Sequence, residues 1–189
     1  MRQGHLFVVS GPSGAGKGTV LKRLINEYDN LEYSISATTR HSRKGEVDGE
    51  DYFFLTENDF FKLVDDDRFI EWAKVHNNYY GTPKDYVLEM IEKGKDIILE
   101  IDIQGAKQVC ESYPEAIFVF LAPPSLEELA RRLDQRGSEN RHTKEVRLNN
   151  AREEMKEREN YDYEIINDKI DQAVLKLKSI IIAENCKIK

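Results

Sequence analysis

The sequence predicts an α/β domain whose three-layer core is built on a parallel sheet. Three observations carry that expectation. Tight aliphatic runs at 6–9, 97–102 and 117–121 have the composition of strands buried on both faces. Helical patterns separate these runs, as crossovers between parallel strands require. A glycine-rich string, GPSGAGKGT at 11–19, directly follows the first run and opens a helix marked by Val20, Leu21, Leu24, Ile25 and Tyr28.

The remaining elements follow in order. Residues 33–36 read as a short strand, and 40–51, rich in charge and glycine, as an exposed connection to a strand at 52–55. Phe60, Phe61, Leu63 and Val64 suggest a short helix after Thr56, and 70–75 and 78–80 look like irregular strands around a turn. This middle section, 36–83, is long enough to form a small inserted lobe. The main pattern resumes with a helix at 85–93, stopped by Gly94, and the strand 97–102. After the strand 117–121, Pro123 and Pro124 act as a break, and Ser125 with Glu128 predicts a capping box for a helix at 126–133. A charged bend at 135–143 leads to a long polar helix, 144–159, which docks only by Leu148, Ala151 and Met155. A strand at 163–166 and an amphipathic helix at 171–183 complete the core, with the polar tail 184–189 expected to fray or to cover a surface.

Composition narrows the class of function. With 189 residues, 40% of them hydrophobic, the chain can bury one substantial core. A formal net charge of −7 argues against nonspecific attraction to nucleic acid or to an anionic membrane. Cys110 and Cys186 lie in no metal-ligand spacing and read as ordinary thiols. The first strand begins within a few residues of the start and no apolar stretch has the length of a bilayer span, so cytoplasm is the expected location.

The string at 11–19 is a phosphate cradle in prospect. Its glycines allow a tight loop whose amides turn toward an anion, Lys17 adds a point charge, and the helix dipole places its positive end there. Asp102 falls at the carboxyl edge of the predicted sheet, where open α/β folds bind ligands, and could hold water around Mg²⁺. Glu100, two positions back, points to the same side of the strand. Arg40 and Arg43 in the middle section, and Arg131, Arg132, Arg136, Arg141 and Arg147 later, supply guanidinium forks suited to phosphoryl oxygens.

These segments closely resemble the guanylate kinase family along nearly the whole chain. The resemblance rests on GPSGAGKGT at 11–19, SATTRHSRKGEVDGEDYFF at 36–54, FIEWAKVHNNYYGTP at 69–83, ILEIDIQGA at 98–106 and YDYEIIND at 161–168. It implies the P-loop nucleoside monophosphate kinase core, divided into core 1–35, a GMP-binding lobe 36–83, core 84–124, a helical lid 125–157 and core 158–189. It further implies GMP phosphate contacts from Arg40, Arg43, Tyr52 and Tyr80, and a guanine side made by Ser36, Glu71, Thr82 and Asp102, with Gly81 in the same segment. Guanine presents N1–H and N2–H₂ as adjacent donors, which a Glu71 carboxylate accepts together, while Ser36 or Thr82 can donate to O6. On the donor side it implies that ATP phosphates lie over Ser13, Gly14, Ala15, Gly16, Lys17, Gly18 and Thr19, with Arg132, Arg136 and Arg147 above them and Asn167 on the adenine side. For Asn167 the residues alone read equally well as a turn before the last helix.

The implied reaction is ATP + GMP to ADP + GDP, with Mg²⁺ accompanying ATP and with Lys17, Arg40, Arg43, Arg136 and Arg147 stabilising the transferring charge. Ribose against deoxyribose in the acceptor is left open. The implied partners are the small-molecule substrates alone, with neither nucleic acid nor membrane, and a monomer or weak homo-oligomer. Another purine nucleoside monophosphate kinase and a non-catalytic nucleotide-binding module of the same fold are the competing readings. The family pattern is broken at Gly18, where a serine or threonine usually follows the lysine. The metal-facing hydroxyl then falls to Thr19, or contact runs through water. Asn140, Arg141, His142 and Val146 also depart from the pattern, in the lid.

Overall fold

The computed structural model describes residues 3–75, 77–135 and 141–188. A five-stranded sheet has the order β2-β7-β1-β8-β9, formed by β1 (Leu6–Ser10), β2 (Leu31–Tyr33), β7 (Asp96–Glu100), β8 (Ile117–Ala122) and β9 (Tyr163–Ile166). β2 runs parallel to β7, and β8 to β9. The bonds from Ile97 N–H to the His5 carbonyl and from Ile101 N–H to the Val9 carbonyl advance together, so β7 and β1 are parallel as well. Every residue of β1 and β8 is buried, as the unbroken apolar runs require. The second sheet has the order β4-β3-β6-β5 and contains β3 (Ala37–Thr38), β4 (Phe53–Phe54), β5 (Phe69–Val75) and β6 (Asn78–Pro83).

The chain groups into two compact units. The first, Met1–Phe7, Asn30–Leu99 and Gln104–Ala116, contains the second sheet together with α2 (Glu57–Asp65) and α3 (Lys84–Glu92). Its lobe is knit by aromatics: Phe60 stacks on Phe69 at 4.7 Å, and Phe61, Trp72 and Tyr79 close around them edge-on or tilted. Tyr79 is therefore a packing residue, and Thr56 caps α2 by accepting Asp59 N–H at 3.2 Å. The second unit, Val8–Asp29, Glu100–Ile103 and Ile117–Lys189, contains α1 (Lys17–Glu27), α5 (Leu126–Gln135), α6 (Arg141–Glu154) and α7 (Ile170–Asn185).

Several expectations shift. Of the strand predicted at 33–36 only Tyr33 is in a strand, as the end of β2, and 34–36 are the gap before β3. α1 ends before Tyr28, which is already extended. The strands around the middle turn form a continuous antiparallel pair with a single register shift between Phe69 and Glu71. A helix that the pattern did not reveal, α4 (Ile103–Ser112), starts directly after Asp102. Its apolar stripe is only Ile103, Ala106 and Val109, all buried, and Gly105 in the first turn weakens the helical signal. The reciprocal half of the expected capping box is not made. Ser125 Oγ does accept Glu128 N–H at 3.1 Å, but the Glu128 carboxylate goes to Arg131 and Arg132, which hold it down at about 2, and Glu127 turns to the Ser125 hydroxyl.

The long polar helix also divides. α6 stops at Glu154 and the chain tightens into a 3₁₀ turn, Met155–Asn160, where Met155 and Tyr161 pack on Ile103, Phe120 and Ala122. Leu148 and Ala151 dock on Leu129 and Leu133, as their spacing predicts. Within the bend expected at 135–143, residues 136–140 lie outside the described residues, as do the side chains of Gln135, Arg141, His142 and Thr143.

The end of the chain is not a fraying tail up to its last few residues. α7 extends to Asn185, and Glu184 is buried at 7% exposure, accepting from the Tyr163 hydroxyl and from Lys187 Nζ at 3.1 Å. The bond to Glu184 and burial push the Tyr163 phenol up to about 12. Tyr163→Phe should therefore lower the unfolding free energy by about 1–2 kcal/mol in urea titrations at pH 8, because it leaves a buried carboxylate short of a donor. Since the folded phenol titrates above its ordinary value near 10, the wild-type advantage holds below about pH 10 and is lost as pH rises toward 12.

Candidate active site

The loop between β1 and α1 is shaped by contacts behind it. Gly11 has φ 140°, and a Cβ there would stand 2.2 Å from the Leu121 carbonyl oxygen, while Gly16 has φ 94° and a Cβ there would stand 2.5 Å from Asn167 Nδ2. Both positions demand glycine on conformation and on space. Gly16 is also the residue from which α1 starts, and no side chain caps that helix end. An uncapped amino end with its dipole toward the loop suits an anion. Ala15 is fully buried, and Ser13 and Thr19 are exposed at the rim. Lys17 folds back over the loop, its Nζ donating to the carbonyls of Gly11 at 2.6 Å and Pro12 at 3.4 Å.

Beside Asp102 and Glu100, the second unit brings to this loop an acid that periodicity did not single out. Glu154, the last residue of α6, accepts the backbone N–H of Ser13 and feels the attraction of Lys17 and the repulsion of Asp102. Burial, the largest influence, pushes its carboxyl up. The signal in the sequence was its place three residues after Ala151, on the docked side of the helix. Tyr161 lies near Asp102 and Glu154, its phenol pushed up to about 12 chiefly by burial. Glu100 stands beside α1: a Cβ on Gly18 would lie 3.3 Å from Glu100 Oε2. The glycine at the position usually held by a hydroxyl residue thus leaves room for a carboxylate. Among the described residues no three His, Cys, Asp or Glu side chains cluster as a metal site. Glu100 and Asp102, carboxylates of the same unit, are oxygen donors of the kind that hold the waters of a Mg²⁺.

Asn167 is a brace. It is 2% exposed, its Nδ2 donates to the Ala15 carbonyl at 2.7 Å and its N–H to Ala122 at 2.8 Å, and it stands in the connection between β9 and α7, where the turn reading placed it. Arg132 completes the brace, donating to the Asn167 carbonyl at 2.9 Å, to Ala15 at 3.4 Å and to Glu128 at 2.8 Å. Arg131 is an exposed partner of the same Glu128. Arg147 is half-buried on α6, and Arg136 lies outside the described residues.

The first unit contains Ser36, Arg40, Arg43, Tyr52, Glu71, Tyr80, Gly81 and Thr82. Glu71 is buried at 5% exposure, and the Thr82 hydroxyl donates to its Oε1 at 2.6 Å. A hydroxyl has one proton, and here it is given to the Glu71 carboxylate, which it orients. Gly81 lies opposite Trp72, and a Cβ there would press on the Phe69 ring at 2.9 Å. Ser36 is half-buried and its carbonyl takes Phe53 N–H at 3.0 Å. Arg40 lies over the Tyr52 ring at 5.2 Å, and Tyr52 meets Tyr80 edge-on at 6.1 Å. A residue the sequence reading passed over, Glu46, organises this corner. Its carboxylate forks onto Arg40 Nη1 and Nη2 at 2.9 and 3.0 Å and accepts Arg43 N–H at 2.7 Å. Arg40 in turn holds the Glu46 carboxyl below its usual range. The clue was an acid three residues after Arg43, the first to follow the basic residues Arg40, Arg43 and Lys44.

A parallel sheet and a glycine loop opening a helix, with an arginine-tyrosine corner in the other unit, define an α/β protein of the phosphate-loop type. The family model described as guanylate kinase matches residues 3–184. A guanylate kinase of Caldanaerobacter subterraneus subsp. tengcongensis is 52% identical over 187 residues, covering 99% of this chain and 91% of the relative. One from Syntrophomonas wolfei is 52% identical over 188 residues, covering 100% of this chain and 96% of that one. The crystal structure of guanylate kinase from Anaplasma phagocytophilum superposes with a TM-score of 0.83 at 35% identity, over 98% of this chain and 88% of that one. The chain belongs to the guanylate kinase family.

Two substitutions probe the loop. Gly18→Ala should raise the melting temperature, because α1 gains up to about 1 kcal/mol of helix propensity, while forcing Glu100 aside by a few tenths of an ångström and raising the Mg²⁺ concentration needed for half-maximal rate. Because the folded carboxyl of Glu154 titrates above its ordinary value, its favourable contribution is present below the usual carboxylate range and lost as pH rises through the folded value. Glu154→Gln should accordingly melt higher than the unaltered protein at pH 7, with the gap closing by about pH 4.

Proposed function

We propose that the chain transfers the γ-phosphoryl group of ATP to GMP, and to dGMP through the same base contacts, yielding ADP and GDP or dGDP. The observation that carries the guanine assignment is the buried Glu71 carboxylate, fixed by Thr82 in the lobe. Such a group accepts N1–H and N2–H₂ of guanine together, whereas adenine would set its N1 lone pair against the carboxylate. Membership of the family supports the same acceptor.

In this reading Ser13, Gly14, Ala15, Gly16, Gly18 and Thr19 cradle the ATP phosphates with their backbone, and Lys17 exchanges its loop carbonyls for phosphate oxygens. Arg132 and Asn167 stiffen the cradle and border the adenine side. Arg40, Arg43, Tyr52 and Tyr80 take the acceptor phosphate; Ser36, Gly81 and Asp102 complete the acceptor contacts. Arg136 and Arg147 neutralise charge on the transferring group. Thr19 and Asp102 would hold the waters of a Mg²⁺ accompanying ATP, with Glu100 as a third candidate, and the ion would supply charge neutralisation to the phosphates. The acceptor phosphate is already ionised near neutrality, so no dedicated base is needed. Among the described residues no helix is long and apolar enough to cross a membrane. We assign the activity to the cytoplasm as a monomer or weak homo-oligomer.

Purified protein given Mg²⁺, ATP and a panel of monophosphates should form ADP rapidly with GMP and at least about 100-fold more slowly with AMP, CMP or UMP. Glu71→Gln, which replaces one accepting oxygen by a donor, should erase most of the preference for GMP. Robust transfer to AMP with none to GMP would overturn the assignment.

A further inference from the structure

β5 is the edge strand of the second sheet, and its register slips between Phe69 and Glu71. A bulge bends a strand and re-aims the side chains next to it, so the residue just beyond it has to be pinned from outside if Glu71 is to keep one direction. Trp72 is that residue. The N–H and C=O of one strand residue point to the same side, and both groups of Trp72 are met by a single side chain on α4. Gln108 Oε1 accepts Trp72 N–H at 3.2 Å, and Gln108 Nε2 donates to the Trp72 carbonyl at 2.7 Å. The amide stands where a further strand's peptide group would stand, and it closes the open edge at this position.

Only a primary amide supplies an acceptor and a donor at peptide-like spacing on one side chain of this length. A carboxylate would keep the first bond and set an oxygen against the Trp72 carbonyl. An aliphatic chain would make neither bond. The flanking residues face the other way: Glu71 lies opposite Thr82 and Ala73 opposite Tyr80 across β6, and the Thr82 hydroxyl orients Glu71 from that side. Glu71 is thus held between its hydroxyl partner on β6 and the pinned peptide that follows it.

We propose that Gln108 is a positioning residue for acceptor-base recognition, holding β5 through both backbone groups of Trp72 in the register that aims the Glu71 carboxylate, without itself touching the nucleotide. The proposal rests on the reading of Glu71 as the acceptor for the guanine edge. Its chemical signature is selective. An acceptor base with both N1–H and a 2-amino group, as in GMP, gains from an accurately aimed carboxylate. One with N1–H alone, as in IMP, gains less, so loosening Glu71 costs GMP more than IMP.

The test compares kcat/KM for GMP and for IMP in the unaltered enzyme and in Gln108→Leu, together with the KM for ATP and the melting temperature. The expected result is a fall in kcat/KM for GMP of about tenfold, carried mainly by KM, a GMP-to-IMP ratio compressed by about fivefold, and an ATP KM within about twofold of the original. A loss shared equally by GMP and IMP would mark a purely structural role and overturn the proposal, as would an unchanged ratio. If Gln108→Leu does not fold, Gln108→Glu keeps the bond to Trp72 N–H and removes the other. The ratio must shrink there too, and an unchanged ratio overturns the proposal. An unaltered enzyme that does not prefer GMP over IMP is a distinguishable failure, since it removes the Glu71 reading on which this inference stands.

Discussion

A loop whose amides face an anion must turn its carbonyls the other way, and those carbonyls need partners behind the loop. Much else in the second unit follows from that requirement. The Ala15 carbonyl is met by Asn167 Nδ2 and by Arg132, and the Gly11 carbonyl by Lys17. Asn167 is placed for this by the end of β9 and by its own bond to Ala122 at the end of β8, while Arg132 is steadied by Glu128. Strand order, the start of α7 and the charge pattern of α5 are therefore all tied to one short stretch of backbone. The glycines at 11 and 16 let the chain pass close to Leu121 and Asn167, and any side chain there would push the loop off its support.

The lobe solves a different problem, that of keeping cations and a carboxylate in place before a ligand arrives. A guanidinium has five N–H groups. Glu46 and the His41 carbonyl occupy three of those on Arg40, through two bonds and one bond respectively. Aromatic faces of Tyr52 and Phe54 lie alongside. Glu71 is treated likewise, with a hydroxyl on one side and a pinned strand on the other. Side chains fixed in this way lose little rotamer freedom on binding, which is what preorganisation means in energetic terms.

Much of this was legible in the sequence. β1 and β8 are short, apolar and bounded by turn residues, and the phosphate loop has a spacing that few other structures need. Pattern alone lost α4, because Ile103, Ala106 and Val109 form too thin a stripe and Gly105 interrupts it. It also lost the end of the polar helix, since the change to a 3₁₀ turn is made by Met155 and Tyr161 reaching Ile103 and Phe120, contacts distant in sequence. Among site residues, Lys17, Glu71 and Arg40 stood out by residue type within a motif. Glu46, Glu154 and Gln108 did not, because their roles are to hold another residue's backbone or charge. Such roles depend on which groups the fold leaves needing a partner, and that is set only once the strands are paired.

The closeness of Gly18 to Glu100 also bears on how this site can vary. A carboxylate 3.3 Å from where a side chain would begin ties the two positions to each other rather than to the chain around them. A relative that carries serine or threonine in place of Gly18 has to rotate, shorten or exchange the acid at the position of Glu100. Substitutions at these two sites, 82 positions apart in the chain, are consequently not independent of each other.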